Sequence, residues 1–253
     1  MPLLLLWSLS VAAAPEPFAH EVEGARFRAA MPIDGELFHV QGLELQGPRM
    51  WLTSIDRRTR RGYLHQIERK TGKVVRRIEV TDGVRYHPGG ISIEGRSLWV
   101  PVAELRANSS AVLIEIDTDT LRVRRRIPVA DHLGCVAVAG RWLVAGNWDS
   151  RSLYVIDLSD PAHMRVVPNT SGTRYQDMKF VHGQLVAGGP RAWGDGAVDW
   201  LDWPRLTLDR SQRAGGYTAE GMAVEGGDLY FAPEDGPGRV FRFRLGERGP
   251  TAA

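Results

Sequence analysis

A fivefold internal repeat constrains this chain more than any other feature of it. Five segments share one pattern: Gln41-Gly42-Leu43-Glu44-Leu45, Gly89-Gly90-Ile91-Ser92-Ile93, Leu133-Gly134-Cys135-Val136-Ala137, Gln176-Asp177-Met178-Lys179-Phe180 and Glu220-Gly221-Met222-Ala223-Val224. Their second residues fall at 42, 90, 134, 177 and 221, in steps of 48, 44, 43 and 44 residues. That is the period of a four-stranded propeller blade. Residues one and three after that position are apolar or small in every copy, the alternation of a strand. A glycine turn follows each time, at Gly47, Gly95, Gly140, Gly183 and Gly226-Gly227. A second apolar strand then carries Trp51, Trp99, Leu143, Val186 and Tyr230 at matching places. These positions read as blade core rather than as a sugar platform. The fourth strand is charged, as in Val123-Arg124-Arg125-Arg126-Ile127, which suits an edge that must not pair with another molecule.

The fifth copy runs out after Val240-Phe241-Arg242-Phe243-Arg244, one strand short. Ala25 to Pro32 resembles the outer strands of the first two copies. Pairing there would close the ring through the two ends of the chain and leave no open sheet edge. The expected fold is therefore all-β: a five-bladed β-propeller of four-stranded blades, closed by an N-terminal strand in the last blade. Residues 25–246 form the propeller, 15–24 a lead-in and 247–253 a tail.

Met1 to Ala14 is an apolar run ending in small residues, too short to span a bilayer. It reads as a signal peptide, although it lacks a basic n-region. The expectation is export, to the periplasm or beyond the cell. No later segment is apolar enough for a membrane span. A net charge of +2 gives no case for nucleic acid. The lone cysteine, Cys135, excludes an internal disulfide and a paired-cysteine zinc site, and reads as a small buried hydrophobe.

Chemistry is expected where the loops entering each innermost strand meet those leaving each second strand, around one mouth of the channel. The entering loops carry His39, Gln41, His87, Asp131, His132, Gln176, Asp177 and Glu220. The leaving loops carry Ser54, Asp56, Glu104, Asn147, Asp149, Glu234 and Asp235. Trp148, Trp193, Trp200 and Trp203 stand near loop ends, where a pocket wall is one use for them. Carboxylates and an asparagine oxygen suit calcium, whereas histidine with carboxylate suits zinc. The candidate metal ligands are Asp177, Glu220, His87 and His132. Two close carboxyls would also supply an acid–base pair. Each residue reads equally well as an inter-blade tie that bonds backbone amides. Asp177, which replaces a glycine of the repeat, stands out among them. Gly-x-Ser-x-Gly, His-Glu-x-x-His and a phosphate-binding glycine loop are all absent, so no motif names a reaction.

Several stretches carry a resemblance: His39-Val40-Gln41-Gly42-Leu43, His87-Pro88-Gly89-Gly90-Ile91, Asp131-His132-Leu133-Gly134-Cys135-Val136, Gly146-Asn147-Trp148-Asp149-Ser150-Arg151, Tyr175 to Phe180 and Glu220 to Val224. Through them the chain resembles a family of exported bacterial proteins, a domain of unknown function. More distantly it is similar to the five-bladed glutamine cyclotransferases, through Phe38 and Gln41-Gly42-Leu43. That resemblance implies a second-blade glutamate serving cyclisation, and the position here is Gly89. Their fourth-blade Asn-Glu-Leu corresponds to Gln176-Asp177-Met178. Glu220-Gly221-Met222 also resembles the metal-site style of six-bladed calcium-dependent lactonases. Three functions stay open: small-ligand binding at the mouth with a divalent metal such as calcium or zinc, a protein-interaction scaffold, and a lactonase-like or cyclotransferase-like enzyme.

Overall fold

The computed structural model describes residues 22–192, 195–234 and 238–246. The expected leader, Trp193, Asp235 and the tail lie outside the described residues. Five sheets radiate from one axis. The first blade is His39–Gln46, Arg49–Asp56, Arg61–Glu68 and Val74–Glu79. The second has an interrupted inner strand, His87–Pro88 and Ser92–Glu94, then Ser97–Ala103, Ala111–Asp117 and Val123–Val129. The third is Leu133–Ala139, Trp142–Asn147, Ser152–Asp157 and Met164–Pro168. The fourth is Asp177–Val181, Gln184–Ala192, Asp195–Asp202 and Thr207–Gly215. The fifth is Gly221–Glu225, Asp228–Ala232 and Arg239–Leu245.

The outer strand of the fifth blade is Ala25–Pro32, antiparallel to Arg239–Leu245. The ring closes as the sequence predicts, with Ala25 opposite Leu245 and Pro32 opposite Arg239. The turn glycines explain the repeat in backbone terms. Gly47, Gly95, Gly140, Gly183 and Gly226 all have φ between 55° and 79°, a left-handed region costly for other residues.

Alternation along each strand sends successive side chains to the two neighbouring blades. One apolar cluster therefore fills each gap between blades. Trp51 and Leu64 meet Ile91 and Leu98 of blade two. Trp99 and Leu113 meet Leu143 and Ile156 of blade three. Cys135 and Val144 meet Tyr175 and Leu185 of blade four. Trp200 and Val198 meet Phe231 and Phe241 of blade five. Tyr230 and Val240 return to Leu43 and Leu52 of blade one. Each fully buried side chain of this kind contributes roughly 2 kcal/mol of transfer free energy.

The axis is crowded. A Cβ on Gly89 would stand 1.8 Å from the Gly134 carbonyl oxygen, and one on Gly42 would stand 2.6 Å from the Gly89 carbonyl oxygen. The inner strand of blade two breaks here because Gly90 pairs with blade three instead. Its N–H donates to the Gly134 carbonyl and its own carbonyl accepts from Val136. In the repeat glycine column Gly42, Gly90 and Gly221 are required by strands converging on one line, whereas Gly134 has room for a Cβ.

Candidate functional site

Four of the five repeat positions are glycine and the fifth is Asp177, which fills the axis. It is fully buried. Its Oδ2 accepts from the amides of Leu43 in blade one and Met222 in blade five, at 2.9 and 3.0 Å. Its Oδ1 accepts from its neighbour Met178 at 2.9 Å and from Lys179 Nζ at 2.5 Å. Lys179 Nζ also donates to the Ile91 carbonyl of blade two at 2.6 Å and lies 4.0 Å from Glu44. One ion pair therefore ties blades one, two, four and five. Asp177 serves the ring, and every oxygen lone pair that a ligand would seek is engaged by a donor. Burial raises its carboxyl to about 6 in spite of Lys179, and raises Glu44 to about 7.

Beside this axial tie the entering loops of blades one and five, and the leaving loops of the same blades, build the mouth. His39 Nδ1 lies 3.1 Å from Glu234 Oε1, and His39 Nε2 lies 3.8 Å from Glu220 Oε1. A nitrogen of His39 and one oxygen from each of Glu220 and Glu234 all fall within 4.8 Å of one another. Glu220 is buried and Glu234 is half exposed, so the cluster opens toward solvent on one side. Burial first, then the charge of Glu234 and a hydrogen bond to it, lift the Glu220 carboxyl well above its ordinary range. The buried carboxyl is the one raised, because a second negative charge beside Glu234 is costly there. His39 is held below its ordinary value by burial, which outweighs the pull of Glu234 and is aided by Arg57.

The tautomer of His39 follows from its partners. Arg57 Nη2 approaches Nε2 at 2.8 Å. A guanidinium only donates, so Nε2 accepts and Nδ1 carries the proton that faces Glu234.

A second arc of the mouth runs through blades one, two and three. Gln41 donates its amide to the Val40 carbonyl at 2.8 Å, which leaves its oxygen for His87 Nε2 at 2.7 Å. His87 Nε2 is therefore protonated, and its Nδ1 is a buried acceptor without a hydrogen-bond partner. The His87 ring lies 5.5 Å from that of His132, which in turn meets Trp148 edge to face at 4.6 Å. His132 Nδ1 donates to the Arg106 carbonyl at 3.2 Å. Burial, with His132 and His39 nearby, lowers His87 to about 3. We expect nuclear magnetic resonance to find a neutral His87 ring at about pH 5, well below the ordinary histidine value. A ring titrating near that ordinary value would mean that water floods this arc.

The remaining sequence candidates are placed elsewhere. Glu104 binds Ser110 and Arg106 within its own loop. Asp131 caps its neighbour His132 and takes Asn147 and Tyr154. Asn147 in turn accepts from Ser152. Asp149 is paired loosely with Arg151 at 3.8 Å, and Gln176 is partly exposed beside Arg174. Ser54 is sealed against His65 at 2.7 Å, both fully buried. Asp56 pins its own turn by accepting from Arg58 and Thr59. Trp51, Trp99 and Trp200 are core, and Trp203 packs on Trp142 and Phe180. Of the four metal-ligand candidates only Glu220 belongs to the three-residue cluster. Its companions are His39 and Glu234, whereas His87 turns to Gln41, His132 to the Arg106 carbonyl and Asp177 to Lys179.

Fold and site together define a five-bladed β-propeller with a histidine–carboxylate mouth above a buried ion pair. The chain belongs to the DUF6454 family, a family of unknown function whose model matches residues 19–175. No curated protein matches the sequence at a significant level. Among solved structures, the glutaminyl cyclase of Myxococcus xanthus is similar, with a TM-score of 0.66 and 16% identity. That likeness covers 88% of this chain and 96% of the cyclase. A chain of the mitotic checkpoint complex gives a TM-score of 0.52 at 12% identity, over 97% of this chain and 99% of that one. At such identities the likeness is one of fold.

Proposed function

We propose that this propeller binds a small polar ligand at its channel mouth, together with one divalent metal held by His39, Glu220 and Glu234. The observation that carries the reading is the convergence of one imidazole nitrogen and two carboxylate oxygens within 4.8 Å. Three separate loops supply them, so the cluster is a product of the fold rather than of local sequence. A nitrogen with two carboxylates favours zinc or manganese over calcium, whose sites are built from oxygen alone. Three protein ligands leave positions open for water and ligand, the arrangement that metal-assisted hydrolysis uses. Metal would take Glu220 as the carboxylate, so its raised carboxyl makes metal uptake release a proton and favours it at higher pH.

The test is metal content and melting temperature of the purified protein with zinc or manganese and with chelator. Metal at about 100-fold its dissociation constant should stabilise the fold by about 3 kcal/mol. His39→Ala should abolish that gain. A melting point indifferent to both metals would sink the reading. Screening with lactones and esters then addresses the reaction class.

The two other readings have less behind them. The similarity in fold to a glutaminyl cyclase invites cyclotransfer, but position 89 has no space for the glutamate that chemistry would call on, since its Cβ would sit 1.8 Å from the Gly134 carbonyl oxygen. A docking scaffold would present an apolar face. Among the described residues the exposed large hydrophobics are Val75, Val84, Val123, Val166 and Leu208, which are spread over four blades.

A further inference from the structure

Arg57 stands where a cation bound to His39 would stand. Its side chain is exposed, on the turn between Arg49–Asp56 and Arg61–Glu68, yet its guanidinium reaches back to His39 Nε2 at 2.8 Å. That nitrogen, 3.8 Å from Glu220 Oε1, bears the lone pair a metal would take, and Glu234 must turn from the Nδ1 proton to join the metal. The turn that carries Arg57 is fixed from below. Asp56 accepts from the Arg58 and Thr59 amides at 2.9 and 3.2 Å and from the Thr59 hydroxyl at 2.5 Å. Arg58 and Arg60 lie exposed on the same turn. Among the described residues Arg57 makes no salt bridge, and its polar partner is the neutral imidazole. A charged guanidinium spending its hydrogen bond on a neutral nitrogen, in a mouth that holds two carboxyls, is easily displaced. A divalent ion on Nε2 would repel it outward, toward the open side of the cluster.

We propose that Arg57 is a stand-in cation exchanged for the divalent metal, and that the released guanidinium then clamps an oxyanion of the ligand, carboxylate or phosphate, against that metal. This rests on the metal reading above and adds the ligand class to it. The guanidinium fork matches an oxyanion in two-point contact, and the neighbouring arginines add a positive field over the entrance. The exchange involves no covalent step. The metal replaces a hydrogen bond on Nε2, and the guanidinium stays charged throughout.

One substitution tests both halves, because it should move two affinities in opposite directions. Manganese alone should bind Arg57→Met about tenfold more tightly than the wild type, since the competitor for Nε2 is gone. Oxalate should bind the manganese-loaded Arg57→Met about tenfold more weakly than the manganese-loaded wild type, since the clamp is gone. Calorimetry reads both. A general disturbance of the mouth would weaken both and would overturn the proposal. Equal manganese affinity in the two proteins would overturn the exchange while leaving the metal site standing. Manganese binding to neither protein would overturn the metal reading itself. A further check needs no metal: the nitrogen shifts of His39 should show the Nδ1–H tautomer, and an Nε2–H tautomer would overturn the Arg57 contact.

Discussion

Asp177→Ala is expected to destabilise the protein by about 4 kcal/mol, since breaking a buried pair from one side costs about 3–5 kcal/mol. Three amides, those of Leu43, Met178 and Met222, would lose their acceptor. The Lys179 ammonium would keep the Ile91 carbonyl and a distant Glu44 in a site it cannot leave for water. For a chain of this size the melting temperature should fall by roughly 8–16 °C. The control is Asp177→Gly with Lys179→Met, which restores the glycine of the other four repeats and removes the orphaned charge. It should recover at least half of the loss. Denaturant unfolding measures both, and a single mutant within about 1 kcal/mol of the wild type would show that the axial pair does not hold the blades.

The second large effect concerns pH. Glu44 is buried, and its carboxyl is pushed up to about 7 by burial, against the pull of Lys179. An acid whose folded value is raised keeps its full contribution below the unfolded value, near 4.5, and loses it as pH rises through the folded value. The wild type should therefore lose about 3 kcal/mol from this group between about pH 4 and pH 8, at 1.36 kcal/mol per unit. Glu44→Gln keeps one oxygen for the Leu45 amide, gives up the longer bond from the Ile93 amide, and has no proton to lose. Its stability relative to the wild type should rise with pH across that window. The buried histidines push the other way in acid, but they are common to both proteins and cancel in the difference. A difference that stays flat from acid to neutral pH would mean that Lys179 already compensates the charge in full.

The ring was legible in the sequence because its two physical demands fall on residue types. Left-handed turns demand glycine at 47, 95, 140, 183 and 226, and the crowded axis demands it at 42, 90 and 221. The closing strand was legible because a missing edge must be supplied from somewhere. Asp177 was legible as a departure from the glycine column, but its use was not. Whether a carboxylate faces amides or solvent depends on depth along the axis, which periodicity does not encode. Of the entering-loop candidates the structure brings His39 to Glu220, Gln41 to His87, and His87 to His132. Glu104, Asp131 and Asn147 carry the same kinds of groups, but they are consumed by local partners such as Ser110 and Tyr154. Such pairings depend on loop conformation, and a repeat alignment is blind to it. Arg57 was missed altogether. In an arginine-rich chain the run Arg57-Arg58-Thr59-Arg60-Arg61 reads as a solvated turn, and only its 2.8 Å approach to His39 sets one member apart.

The closing strand sets the order of events in the life of the chain. Ala25–Pro32 is made long before its partner Arg239–Leu245. No earlier blade offers this strand its register, so it must wait until Arg239–Leu245 has been made. Contacts this remote in sequence make folding slow, because a large loop must close before the pairing rewards it. The same circumstance makes the finished ring a single latch. Removal of Ala25–Pro32 would bare Arg239–Leu245 as a new sheet edge that can add strands from neighbouring molecules.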